Sequence, residues 1–136
     1  MDLDTVQHNL KHIRSVIEDP VEPRIENINE LIDKGVQLVN LAGLAAECEA
    51  QARRLMDEAI ANEILELTTN EALLKSTTAT NVTLIAKGKA ARFTGVYEYA
   101  IRLNRGISHH VDLLRSVISL YKEEMHKLDI TNQINQ

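Results

Sequence analysis

Six side chains between Lys87 and Arg105 are suited to holding a nucleic-acid strand. Lys87, Lys89, Arg92, Arg102 and Arg105 can neutralise phosphates, and Tyr99 stands among them as a flat surface on which a base can stack. The same stretch, KGKAARFTGVYEYAIRLNRG, contains three glycines, yet Ala90, Ala91, Phe93, Val96, Tyr97, Ala100, Ile101 and Leu103 recur at helical steps. A glycine inside a helix costs about 1 kcal/mol relative to alanine. At about 100° per residue, Gly88, Arg92, Gly95, Tyr99, Arg102 and Gly106 fall on one narrow strip, with His110 close by. Two uses of such a face are physically distinct. Bare backbone lets another helix approach closely, with the arginines pairing to acids such as Glu47, Glu49, Asp57, Glu58 and Glu63. Alternatively, it admits a phosphate backbone.

Other chemistry-bearing groups have simpler readings. His8 and His12 are four residues apart and could face one ion, but no third or fourth ligand accompanies them. His109 and His110 are adjacent and point in different directions; Asp112 is spaced to bond His109 on a helix surface. The acids Asp57, Glu58, Glu63 and Glu66 suggest a di-metal bundle, but no Glu-x-x-His lies among them and they read as a solvated face. No serine has triad partners. The single cysteine, Cys48, lies in LAGLAAECEAQA and reads as a buried, inert thiol in a reduced compartment. The expectation is a non-enzymatic protein without metal or cofactor.

The net charge of −5 argues against nucleic acid only until its distribution is considered. From Lys75 to Arg105 six basic residues face one acid, Glu98, so this stretch carries +5 and the remainder −10. Such segregation is an electrostatic footprint on an otherwise acidic molecule.

The elements that must position the strip follow from periodicity. One domain of 136 residues, with one Phe, no Trp and two prolines, favours helices over sheets. Residues 2–18 predict a first helix, with Leu3, Val6, Leu10, Ile13 and Ile17 on one face and Asp2 or Asp4 as N-cap. The opening MDLDTVQHNL is acidic and amphipathic, unlike a signal or transit peptide. Residues 19–24, with Pro20 and Pro23, form a linker. A long helix is expected over 25–67, then a connector over 68–80 with a short turn capped near Thr69 or Asn70 and Glu71. A second long helix is expected over 81–126, followed by a flexible tail at 129–136 that lacks period.

The last helix carries a nearly strict heptad seam: Phe93, Tyr97, Ala100, Asn104, Ile107, Val111, Leu114, Ile118, Tyr121, Met125 and Leu128. Asn104 interrupts it where a lone polar residue sets register or oligomer state. The expected object is therefore all-α: an elongated, antiparallel, coiled-coil-like hairpin of two long helices plus a short N-terminal one. Copies of the chain would complete its apolar surface, making it a homo-oligomer. No apolar run approaches a membrane span, and a cytoplasmic location is expected.

The opening DLDTVQHNL, the run AQARRL (Ala50 to Leu55) and RLNRGISHHVDLLR (Arg102 to Arg115) make the layout resemble the T4-type phage recombination mediators. These are small, ring-forming helical proteins that help load a recombinase onto single-stranded DNA. The resemblance implies single-stranded DNA and a recombinase, or another protein, as partners. In the first long helix it carries over only Arg53 and Arg54, because LMDEAIANE stands where a basic, aromatic run belongs to the family. The reading is a phage or mobile-element accessory factor that contacts single-stranded nucleic acid through Lys87, Lys89, Arg92, Tyr99, Arg102 and Arg105. Two other readings remain open. One is a structural adaptor that self-assembles and binds a protein. The other is an acidic decoy acting through Glu47 to Glu66.

Overall fold

The computed structural model describes residues 1–70, 75 and 78–135. The described residues are helical wherever they have regular structure: α1 (Leu3–Ile17), a 3-10 turn (Ile25–Asn27), α2 (Ile28–Thr69), α3 (Ala79–Lys89) and α4 (Ala91–Ile134). The short turn expected at Glu71 lies outside the described residues.

Helix α1 begins where its sequence says it should. Asp2 is the N-cap and accepts the Thr5 backbone N–H at 2.8 Å; the Thr5 hydroxyl first, and this backbone bond second, lower the Asp2 pKa from its ordinary 3.8. This contribution is present above the unfolded-state pKa and is lost as pH falls through the lower folded value. The buried face is Leu3, Val6, Leu10, Ile13 and Val16; Ile17, expected on it, is half-buried. Pro20 and Pro23 keep the following segment out of a helix, and α2 then runs for 42 residues, roughly 63 Å. Neither Gly35 nor Gly43 interrupts it.

Helices α2 and α4 run antiparallel. Lys89, just ahead of α4, pairs with Glu63; Asn104 donates to Glu49; and the Tyr121 hydroxyl donates to the Pro23 carbonyl. The contacts therefore descend along one strand of the pair as they ascend along the other. Helix α1 lies in the cleft between the two. It is antiparallel to α2, where Arg54 donates to the Met1 carbonyl and Lys34 to the Val16 carbonyl. It is parallel to α4, where Asp4 meets Arg92. At the centre Ala45, Cys48, Ala52 and Ala100 are all fully buried. Side chains this small bring helix axes toward the short end of the usual 8–10 Å.

Two boundaries differ from the sequence expectation. The single helix expected over 81–126 is divided at Ala90, whose φ of −87° and ψ of 9° leave the helical well. The hydrogen bonds Ala90 N–H to Ala86 C=O and Thr94 N–H to Ala90 C=O span the division, so it redirects the helix without reversing it. The new direction lets Val82 and Ala86 of α3 form a second small core with Leu67, Ile60 and Ile64 of α2. Helix α4 also runs past its expected end at 126, continuing to Ile134 through the residues read as a flexible tail. Its residues carry no one-sided apolar face because none packs on the bundle: all from Lys122 to Asn135 are exposed.

Lys34 is the one buried charged residue among those described, and its ammonium caps the C-terminal turn of α1 by donating to Val16. Both the charge-assisted bond and the negative end of the helix favour a cation there. Lys34→Met, which keeps the stem and removes the charge, should lower unfolding free energy by about 1–3 kcal/mol in urea titrations. The same change at exposed Lys127 should stay within about 0.5 kcal/mol.

Candidate nucleic-acid interface

The basic strip spans the end of α3 and the first half of α4, and its cations fall into two groups. Lys89 reaches Glu63 of α2 at 3.4 Å. Arg92 reaches Asp4 at 3.4 Å and Gln7 at 3.3 Å, both on α1. The Arg92–Asp4 pair is solvent-exposed, and contacts of that kind contribute little to stability, whereas the Glu63 oxygen that Lys89 reaches is itself buried. Lys87, Arg102 and Arg105 are exposed and have no hydrogen bond or ion pair to any described residue.

Tyr99 is half-buried and packs against the main core. With Gln7, Leu10, Lys11, Arg92, Gly95 and Val96 it lines a groove of about 320 Å³ between α1 and α4. Its hydroxyl also acts on Arg14 of α1: the Glu18 carboxylate first, and Tyr99 second, hold the Arg14 pKa above its ordinary value. Helix α1 thus covers one flank of the strip and adds Lys11 and Arg14 beside it. Sequence reasoning missed both, because nothing in a local pattern links positions more than 80 residues apart. The signal available was that Lys11 and Arg14, three apart, share a helix face.

The seam residues occupy an arc of α4 about a third of a turn from the strip. Ile107 is buried, and Phe93, Tyr97, Val111 and Leu114 pack on the main core. Ile118 is half-buried beside Ser119. Asn104 uses its side-chain amide to donate to Glu49 at 2.6 Å, so the interruption in the seam is satisfied within the chain. Arg53 lies 4.0 Å from Asp57, while Arg54 engages Glu58, Gln51 and the Met1 carbonyl.

The glycines do not serve close packing inside the chain. A Cβ added at Gly88, Gly95 or Gly106 would meet no heavy atom within 4 Å, outside its own helix backbone and chain neighbours. Close helix approach, one of the two uses open to them, is therefore not made within the chain, and Gly95 instead lines the groove between α1 and α4 with Leu10 and Tyr99.

His8 and His12 are exposed, and the His109 and His110 rings are tilted by 56° with centroids 6.3 Å apart. Among the described residues no three His, Cys, Asp or Glu side chains come together to hold a metal ion. Cys48 is buried, and desolvation, then the charge of Glu47, pushes its thiol pKa up against a bond from Asn9. No helix among the described residues is long and apolar enough to cross a membrane. Comparison of the chain with protein-family models, curated proteins and solved structures finds no match.

Since nothing opposes a methyl group at these glycines, Gly95→Ala and Gly106→Ala should each raise unfolding free energy by about 0.5–1 kcal/mol in urea titrations. Cys48 should react with iodoacetamide at least roughly tenfold more slowly in the native protein than in urea, followed by mass spectrometry.

Proposed function

We propose that this chain is a non-enzymatic, oligomeric helical binding protein that contacts single-stranded nucleic acid along α3 and α4. The observation that carries the reading is the trio Lys87, Arg102 and Arg105: exposed cations with no partner among the described residues of an acidic chain. Lys89 and Arg92 support them. The bond of Arg92 to Asp4 is exposed and long enough for phosphate to compete, and the ammonium of Lys89 stays half exposed beside Glu63. Tyr99 and its neighbours Lys11 and Arg14 form the margin of the site, where a base stacks on the ring of the half-buried tyrosine. Three to five phosphate contacts per chain bind weakly, and assembly multiplies them through effective concentration. The resemblance to recombination mediators adds a recombinase as protein partner, a phage or mobile-element source and action in the cytoplasm.

The pairing of Lys89 with Glu63 and Arg92 with Asp4 favours a second reading. In it the cations hold the chain's own helices together, and the protein is a self-assembling adaptor without nucleic-acid contact.

One titration separates the two. Fluorescence anisotropy of a labelled single-stranded oligonucleotide should report binding at low salt that weakens as salt rises. The double variant Arg102→Ala with Arg105→Ala should bind roughly tenfold more weakly and reduce the salt slope by about 1.4, at about 0.7 per phosphate lost. Its circular dichroism should match the parent, since neither side chain supports the fold. Absence of binding at low salt, or an unchanged slope in the variant, would sink the nucleic-acid reading and leave the adaptor.

A further inference from the structure

Past Tyr121, helix α4 outruns the rest of the bundle. The 13 residues Lys122–Ile134, about 20 Å of helix, are all exposed. The apolar seam nevertheless continues into this projection: Tyr121, Met125 and Leu128 keep the four-and-three spacing, with Met125 43% and Leu128 59% exposed. On the helix wheel Glu124 and Asp129 flank that stripe, one on each side and each within about 80° of its centre. Neither acid has an ion-pair partner among the described residues.

Beside the projection, between α2 and α4, lies an open groove of about 410 Å³. Its walls are Ile32, Val36, Val39, Val111, Leu114 and Ile118, and Val36 and Val39 are more than half exposed. Its charged lining is Arg115 and Lys122, with no acid. Arg115 has only exposed Asp112 at 3.9 Å, and Lys122 has no ion pair among the described residues. An unpartnered apolar stripe edged by acids thus adjoins an unpartnered apolar groove edged by cations. The projection cannot reach the groove of its own chain, because α4 is one continuous helix through both.

We propose that the projecting end of α4 fills the α2–α4 groove of a second copy, reciprocally, in a two-fold antiparallel dimer. Two-fold symmetry makes every contact occur twice. Antiparallel seam pairing sets Leu128 against Val111, Met125 against Leu114 and Tyr121 against Ile118. Under the two-fold like flanks face each other, so Asp129, which follows Leu128 as Arg115 follows Leu114, lies on the side of Arg115. Two apolar surfaces, each costly to leave in water, are buried by one arrangement, and the charges at their edges select the orientation. This inference deepens the oligomeric half of the proposed function and rests on nothing in its nucleic-acid half.

The test is sedimentation velocity of the full chain without nucleic acid, over a roughly hundredfold concentration range. The parent should dimerise reversibly. Met125→Glu should leave it monomeric, with unchanged circular dichroism because that side chain packs on nothing in its own chain. Arg115→Glu should raise the dissociation constant roughly tenfold or more. Arg115→Glu combined with Asp129→Arg should restore it to within about threefold, since the reversed pair is again complementary. A parent that stays monomeric overturns the proposal. So does a dimer indifferent to Met125→Glu, which would place the interface, with this chain or another partner, on a different face. Failure of the double reversal to restore affinity overturns the antiparallel register.

Discussion

The aliphatic face of α1, seated between α2 and α4, is the contact on which the rest of the arrangement rests. A chain with three tyrosines, one phenylalanine and no tryptophan has few large side chains with which to fill a core. It compensates with contact at short range. Ala45, Cys48, Ala52 and Ala100 let the helices come close, and Leu3, Val6, Leu10, Ile13 and Val16 occupy the cleft that remains. Burying a Leu or Ile side chain contributes about 1.5–3 kcal/mol, so five such residues on one short helix form a substantial share of the core. Lys34 and Arg54 tie the two ends of α1 to α2 by bonding to backbone carbonyls, so the wedge is fixed in register as well as in depth.

That wedge also divides the basic strip. Because α1 runs beside α4, it brings Asp4 and Gln7 to Arg92 and folds Tyr99 into a groove, while Arg102, Arg105 and Lys87 stay in solvent. A face that looks uniform on a helical wheel thus becomes a partnered portion and an open portion. The open portion lies where α1 supplies no acid, and the polarity of α1 decides which portion is which. Had α1 run the other way, its acidic start would have met a different part of α4.

The long helices were legible because their signals are local and repeated. Prolines at 20 and 23 end α1, Asp2 caps it, and the spacing from Phe93 to Tyr121 describes the face that α4 turns toward the bundle. The division at Ala90 was not legible, because alanine is a strong helix former and the packing of Val82 and Ala86 with Leu67, Ile60 and Ile64 just before it is a tertiary contact. The helical end of α4 was also misread. Loss of period in LDITNQINQ signals loss of a buried face, and an exposed helix has no need of one.

Residue types and their spacing determined, by themselves, that the chain is helical, which positions face inward, and that cations and glycines share a strip of one helix. These are properties of a single helix and its period. The fate of each cation was decided only by tertiary structure, because an ion pair depends on what a helix 80 residues away brings within about 4 Å. The glycines make the same point. Their clustering is visible in the sequence, but the open space around them depends on where the other helices come to rest, as at Gly95 in the groove between α1 and α4.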